Sequence, residues 1–229
     1  MAVNFVTDAD DFAPIKHVLI SVSDKAGLEH LIPRLVEIVP DVRILSTGGT
    51  FTRIAEILGD KAGDHLTPVS DYTGQPETQG GLVKTLDFKI YLGLLTETYN
   101  DSHRADRERT GAVPIDLVIV NLYPFSQTVA KEGVTVEMAR ANVDIGGPCM
   151  LRAAAKNYLR VAAVVDPDDY AQLAEQLQSQ SGKLTLAQRF SYARKAFGHT
   201  AAYDTAISRY LDEQDPAAVP GAYTLHDPS

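Results

Sequence analysis

Short apolar runs alternate with amphipathic stretches along most of this chain, and that alternation is the first guide to its fold. His17–Ser21 (HVLIS) is an apolar run of strand character. Ser23 and Asp24 follow as candidate caps for a helix that carries Leu28, Leu31, Ile32, Leu35 and Val36 on one face. Val42–Leu45 reads as a second strand, and after a Gly-Gly turn Thr50–Leu58 reads as a second helix with Ile54, Ile57 and Leu58 inward. Leu66–Val69 and Lys89–Leu95 are shorter apolar runs, both expected as strands, separated by the turn-rich DYTGQPETQGG. Ile115–Val120 (IDLVIV) has the continuous hydrophobicity of a strand buried on both faces, and Pro124 ends its ladder.

Beyond it the pattern predicts a helix at Thr135–Asn142, a DIGGP turn, a helix around Cys149–Tyr158 and a strand at Val161–Val165. Helices at Asp168–Gln178 and Leu186–Leu211 complete the series. Strand and helix in alternation imply an α/β fold: a mainly parallel sheet between helical layers, with extra C-terminal helices. Residues 1–14 are acidic and without apolar period, and are expected as a flexible or peripherally packed arm; 15–229 reads as a single domain.

Composition narrows the function classes. Lys plus Arg number 21 against 30 Asp plus Glu, a net charge of −9, so nothing draws the chain to nucleic acid or an anionic membrane. An anionic ligand must therefore be attracted by local structure. Cys149 is the sole cysteine, which excludes an intrachain disulfide and argues against a zinc site, as does the absence of pairwise ligand spacing among the six histidines. No run approaches the roughly 18 apolar residues of a membrane span, and the N-terminus lacks the pattern of a secretory signal; a cytoplasmic protein is expected.

Candidate chemistry gathers where strands end, which is where ligands bind in open parallel sheets. Thr47-Gly48-Gly49-Thr50 joins a strand to a helix, so backbone N–H groups, the helix dipole and two hydroxyls point at one spot, a geometry suited to phosphate. Taken alone, it reads equally as a capped tight turn. Ser21-Val22-Ser23-Asp24-Lys25 occupies the equivalent place on a neighbouring strand, where Lys25 would face the same pocket; by itself it is a capped helix start. Lys84 and Thr85 lie in the glycine-led loop GGLVKTL, and Asn121 and Tyr123 end the IDLVIV strand. Asp144, Ile145 and Gly146 open the next helix, with Pro148 in its first turn, and form either an anion hole or an ordinary capped start. In a continuous helix Lys156 lies about 12 Å along the axis from Pro148, so Asp144 and Lys156 would act on different parts of one ligand.

In order, SVSDKAGL, STGGT, VSDYTG, GGLVKTL, PIDLVIVNLYPF, DIGGPCMLRAAAKN, VVDPDDY and KAFGHTAAYD cover roughly residues 16–212. Together they resemble the IMP cyclohydrolase family, the cyclohydrolase half of the bifunctional enzyme that also carries AICAR transformylase. The resemblance implies a methylglyoxal-synthase-like fold and ring closure of a formylated aminoimidazole carboxamide ribotide (FAICAR) to inosine monophosphate, without a cofactor. It also implies a free-standing cyclohydrolase, a homodimer, and a separate formyltransferase supplying the substrate. By the same resemblance Lys84, Tyr123, Asp144 and Lys156 are catalytic. Ser21, Ser23, Lys25, Thr47, Gly48, Gly49, Thr50, Thr85, Asn121, Ile145 and Gly146 bind substrate. Asp144 is expected to take the nitrogen proton, and Lys156 with the Ile145 and Gly146 N–H groups to meet the formyl oxygen.

The chain departs from the family in one stretch. Where members read G-R-V-K-T-L-H-P it has Leu82, Asp87 and Phe88 for the arginine, histidine and proline, and where they read H-G-G it has Tyr91-Leu92-Gly93. Losing a phosphate-side cation costs about 1.5–3 kcal/mol per charge-assisted hydrogen bond. The competing expectation is a non-catalytic nucleotide- or phosphate-binding module on the same scaffold. Such a module would need only the first two strand ends.

Overall fold

The computed structural model describes residues 5–76, 78 and 83–226. A short strand β1 (Phe12–Pro14) precedes β2 (His17–Val22), α1 (Leu28–Ile38), β3 (Arg43–Ser46), α2 (Gly48–Leu58), α3 (Ala62–His65), β4 (Leu66–Pro68) and α4 (Val69–Thr73). Then come α5 (Phe88–Leu95), α6 (Asp101–Thr110), β5 (Leu117–Asn121), α7 (Phe125–Val129), α8 (Val136–Ala141), α9 (Gly146–Lys156) and β6 (Ala162–Val164). α10 (Tyr170–Ser179), β7 (Lys183–Thr185) and the 27-residue α11 (Leu186–Asp212) follow.

Five strands form one sheet in the order β4-β3-β2-β5-β6, every neighbouring pair parallel. Because the sheet is covered on both faces, its strands are apolar throughout and hide their period of two. The alternation reappears in the packing. Val18, Ile20, Leu117, Ile119 and Val164 face a core shared with Leu28, Leu31, Ile54 and Leu173. Leu19, Val118, Val120 and Ala163 face a second core with Ile90, Leu94, Leu151 and Ala154. The result is the three-layer α/β arrangement expected from the pattern.

Several local expectations need correction. Lys89–Leu95, expected as a strand, is helical: the Asp87 carboxylate accepts the Lys89 N–H and caps α5, which buries Ile90, Gly93 and Leu94. A short apolar run suits a buried strand and a buried helix equally, and the cap decides here. Ser23 and Asp24 do not cap α1. Gly27, in the left-handed region at φ 79°, precedes the helix, while Asp24 closes a turn by accepting the Ala26 N–H. The helix α6 has no buried residue and so carries no apolar stripe to read; Asn100 caps it.

The arm is also tied down at its end. β1 pairs antiparallel with β7. Arg189, fully buried on α11, donates to the carbonyls of Asp10 (2.6 Å), Asp11 (2.9 Å), Tyr158 (3.0 Å) and Leu159 (2.9 Å), and to that of Leu184. At the N-terminal edge of the sheet Asp116 accepts the Lys16 and His17 N–H groups, both at 2.9 Å, and pairs with Arg160 at 3.0 Å. These bonds tie the N-terminal edge of β2 and β5 together. Among the described residues no helix is long and apolar enough to cross a membrane.

Candidate active site

The C-terminal ends of β2, β3 and β5 and the start of α9 enclose a cavity of 440 Å³. Fourteen of the fifteen residues expected at a site line it: Ser21, Ser23, Lys25, Thr47, Gly48, Gly49, Thr50, Lys84, Thr85, Asn121, Tyr123, Asp144, Ile145 and Gly146. A smaller hollow of 320 Å³, walled by Phe51, Pro68 and Val69, adjoins it across Thr47, Gly48 and Lys84.

The anion end is built on α2. Thr47 is its extended N-cap and makes no capping bond with its own hydroxyl, which lies 3.4 Å from Ser21 Oγ. Gly48 has φ +49°, a conformation costly for any residue with a Cβ, and such a Cβ would lie 3.1 Å from Lys84 Nζ. The Lys84 ammonium thus rests over the turn. Lys25 reaches it from the other side, its Cε 3.6 Å from a Cβ built on Gly49 and its Nζ donating to the Ser23 carbonyl at 3.3 Å. Two cations and the positive end of a helix meet here in a protein of charge −9, which is the local attraction an anionic ligand requires.

Two of the expected ligand-binding side chains also hold the backbone. Thr50 Oγ1 accepts the Val22 N–H at 3.1 Å and donates to the Val22 carbonyl at 3.0 Å, locking α2 to β2. The Asn121 amide accepts the Asp24 N–H and donates to the Asp24 carbonyl, both at 2.8 Å, and so shapes the Ser23–Lys25 turn. Both residues border the cavity.

The other end is built on α9. Asp144 Oδ1 accepts the Gly147 N–H at 2.9 Å, and the Tyr123 backbone amide nearby also favours its charged form. Burial nevertheless raises the Asp144 carboxyl above the ordinary carboxylate range, outweighing both. A Cβ on Gly147 would lie 2.6 Å from Asp144 Oδ2 and 2.6 Å from Leu122 Cδ2, so only glycine lets the carboxylate fold over the helix start. Thr85 Oγ1 would be 2.8 Å from a Cβ on Gly146, which brings its hydroxyl beside the first N–H groups of the helix, and these have no intrahelical acceptor. Tyr123 borders the cavity with its side chain half exposed, at 51%.

Lys156 is the exception. It is exposed at the last residue of α9, about 15 Å along the axis from Gly146, and does not line the cavity. Sequence reasoning also missed the apolar lining: Val83, Leu86, Val143 and Met150 flank the polar motifs and carry no signal of their own. The departures Asp87, Phe88, Tyr91 and Leu92 all belong to α5 and its cap, and none of them lines the cavity; Leu82 lies outside the described residues.

The family model described as MGS-like domain matches residues 27–149, and that described as AICARFT/IMPCHase bienzyme matches 154–227. The bifunctional purine biosynthesis protein PurH of Magnetococcus marinus is 48% identical over 92% of this chain, and that of Leptospira biflexa 46% identical over 87%. The chain spans 38% of the length of each of these relatives. The crystal structure of ForH superposes with a TM-score of 0.68 at 31% identity, covering 85% of this chain and 97% of that one. A parallel sheet with its polar cavity at the strand ends, a family match over more than half the sequence and a solved relative covered almost end to end lead to one conclusion: the chain belongs to the MGS-like domain family, and it shares the AICARFT/IMPCHase signature of the PurH proteins.

Proposed function

We propose that the chain is an IMP cyclohydrolase, closing the second ring of the purine by dehydrating FAICAR to inosine monophosphate. The observation that carries this reading is the pairing, in one cavity, of a two-lysine phosphate turn with a half-buried carboxylate at a helix start. The names of its PurH relatives, bifunctional purine biosynthesis proteins, point the same way.

In the proposed reaction the substrate phosphate rests on the Thr47–Thr50 backbone between Lys25 and Lys84, with the Ser21, Ser23 and Thr47 hydroxyls as further donors. The imidazole then reaches the α9 end. Its carboxamide nitrogen attacks the neighbouring formyl carbon, forming a C–N bond, while Asp144 accepts the nitrogen proton. The raised affinity of Asp144 for a proton suits it to that task. Charge developing on the formyl oxygen is met by the Ile145 and Gly146 N–H groups and the Thr85 hydroxyl. That oxygen takes up two protons, the one held by Asp144 and the one the formamide nitrogen gives up, with Tyr123 as the relay, and its C–O bond breaks as it leaves as water. Both reacting groups belong to one ring, so the enzyme needs only to hold the reactive rotamer. No cofactor enters this scheme.

The scheme moves the formyl oxygen from Lys156 to Thr85 and the helix start. A homodimer in the cytoplasm, fed by a separate formyltransferase, completes the reading; apolar Phe190 and Phe197, exposed on α11, are suited to contact with a second copy.

The test is to follow cyclisation of the formylated ribotide by its absorbance change, using wild-type protein, Lys84→Ala and Asp144→Asn. Turnover by the wild type, with loss in both variants, is expected. Tight nucleotide binding without wild-type turnover would replace the enzyme with a binding module.

A further inference from the structure

The KAFGHTAAYD stretch on α11 contributes nothing to the cavity wall, yet its Tyr203 reaches the loop that carries Asp144. The Tyr203 hydroxyl accepts the Asp144 backbone N–H at 2.8 Å and donates to the Asn142 carbonyl at 3.4 Å. Its ring stands edge-on to Phe125, with centroids 6.2 Å apart and planes at 70°. Phe125 is 2% exposed and donates its N–H to the Tyr123 carbonyl at 2.7 Å. One turn-pair further along the same helix face Tyr210 holds the other side of Phe125, at 5.9 Å. A single aromatic side chain thus spans two loops that meet at the chemistry, one ending in Tyr123 and one bearing Asp144.

We propose that Tyr203 is a positioning residue for the ring closure, its hydroxyl setting the height of the 142–145 loop and its ring setting the Tyr123–Phe125 turn against it. This rests on the cyclohydrolase reading for its chemistry but on the hydrogen bonds alone for its geometry. The loop has no helix or sheet ladder to hold it between α8 and α9. Asn142 and Val143 bond back to α8, and beyond them Asp144 is held by its carboxylate on the Gly147 N–H and by its own N–H on the Tyr203 hydroxyl. Burial keeps the Tyr203 phenol protonated well above neutral pH, so it can accept from Asp144 and donate to Asn142 at once. Tyr203 touches no substrate; it acts through Asp144.

Tyr203→Phe keeps the ring and removes the hydroxyl, leaving the Asp144 N–H and Asn142 C=O without that partner. The expected result is a fall in kcat of roughly 10- to 100-fold, the range for a sub-ångström to 1 Å misplacement of a catalytic group. KM and the affinity for inorganic phosphate should stay within about twofold, because the α2 cradle is untouched. The acid limb of the kcat profile should shift together with the Asp144 carboxyl titration, followed by carbon NMR on labelled protein. An unchanged kcat and titration would overturn the proposal. So would a joint loss of kcat, phosphate affinity and thermal stability, which marks a merely structural residue. Failure of the wild type to turn over the ribotide would remove the cyclohydrolase reading; the NMR titration then decides Tyr203 by itself, an unmoved midpoint overturning the proposal and a moved one upholding it.

Discussion

Replacing Asp144 by asparagine separates what the carboxylate does for catalysis from what it costs the fold. The side chain keeps its shape, and one amide oxygen can still accept the Gly147 N–H. The second oxygen becomes an amide donor, so the favourable effect of the nearby Tyr123 backbone amide on the carboxylate is lost. One backbone bond is worth about 0.5–1.5 kcal/mol. Against this, the variant no longer holds a charge in a desolvated position, and the two effects oppose each other. Net stability at neutral pH should therefore change by less than about 1 kcal/mol, or roughly 2–4 °C in Tm for a chain of this size.

The pH dependence has a definite sign. Burial raises the folded-state Asp144 value above that of the unfolded chain. Ionisation then weakens the fold, and the contribution present below the unfolded carboxylate range is lost as pH rises through the folded value. Asparagine does not titrate. The Tm of Asp144→Asn relative to wild type should be more favourable at about pH 7 than at about pH 4, the ordinary carboxylate region. Activity should respond quite differently, with kcat falling roughly 10²- to 10⁴-fold through loss of the proton acceptor. Scanning calorimetry at the two pH values and the cyclisation assay test both halves. A variant with wild-type kcat, or one whose relative Tm moves in the opposite direction with pH, would refute the reasoning.

Gly147→Ala should lower kcat by roughly 100-fold in the same assay, because its Cβ would come within 2.6 Å of Asp144 Oδ2 and force the carboxylate out of place. Helix propensity alone would favour the alanine by about 1 kcal/mol, so retained activity with raised stability would count against the close approach. Lys25→Ala and Lys84→Ala should each weaken binding of inorganic phosphate by roughly 10- to 100-fold in calorimetry, with the loss greatest at low salt. Arg189→Met removes a fully buried guanidinium that serves five backbone carbonyls. A loss of roughly 3–5 kcal/mol follows from breaking buried charged bonds on one side only, lowering Tm by roughly 6–20 °C in thermal unfolding.

By itself the sequence determined the layer architecture and the edge of the sheet on which function lies. Doubly apolar strands separated by amphipathic helices have few other ways to bury themselves; Thr47–Thr50 sits where a strand hands over to a helix, and Asp144–Gly146 opens a helix at the same edge. Nearest-neighbour chemistry is local, which is why glycine turns and helix starts were readable. Tertiary structure decided what each side chain spends its hydrogen bonds on. Asn121 and Thr50 look like ligand donors in the sequence, and in the fold they also hold the Asp24 turn and β2. Lys84 meets Gly48 across 36 positions of sequence, and Lys156 leaves the cavity because a straight helix carries it along its axis. Tyr203 reaches Asp144 across 59 positions of sequence, a contact that no local pattern encodes. Periodicity reports which face of an element is buried, whereas a polar group's partner depends on how separate elements pack, and only the folded chain specifies that.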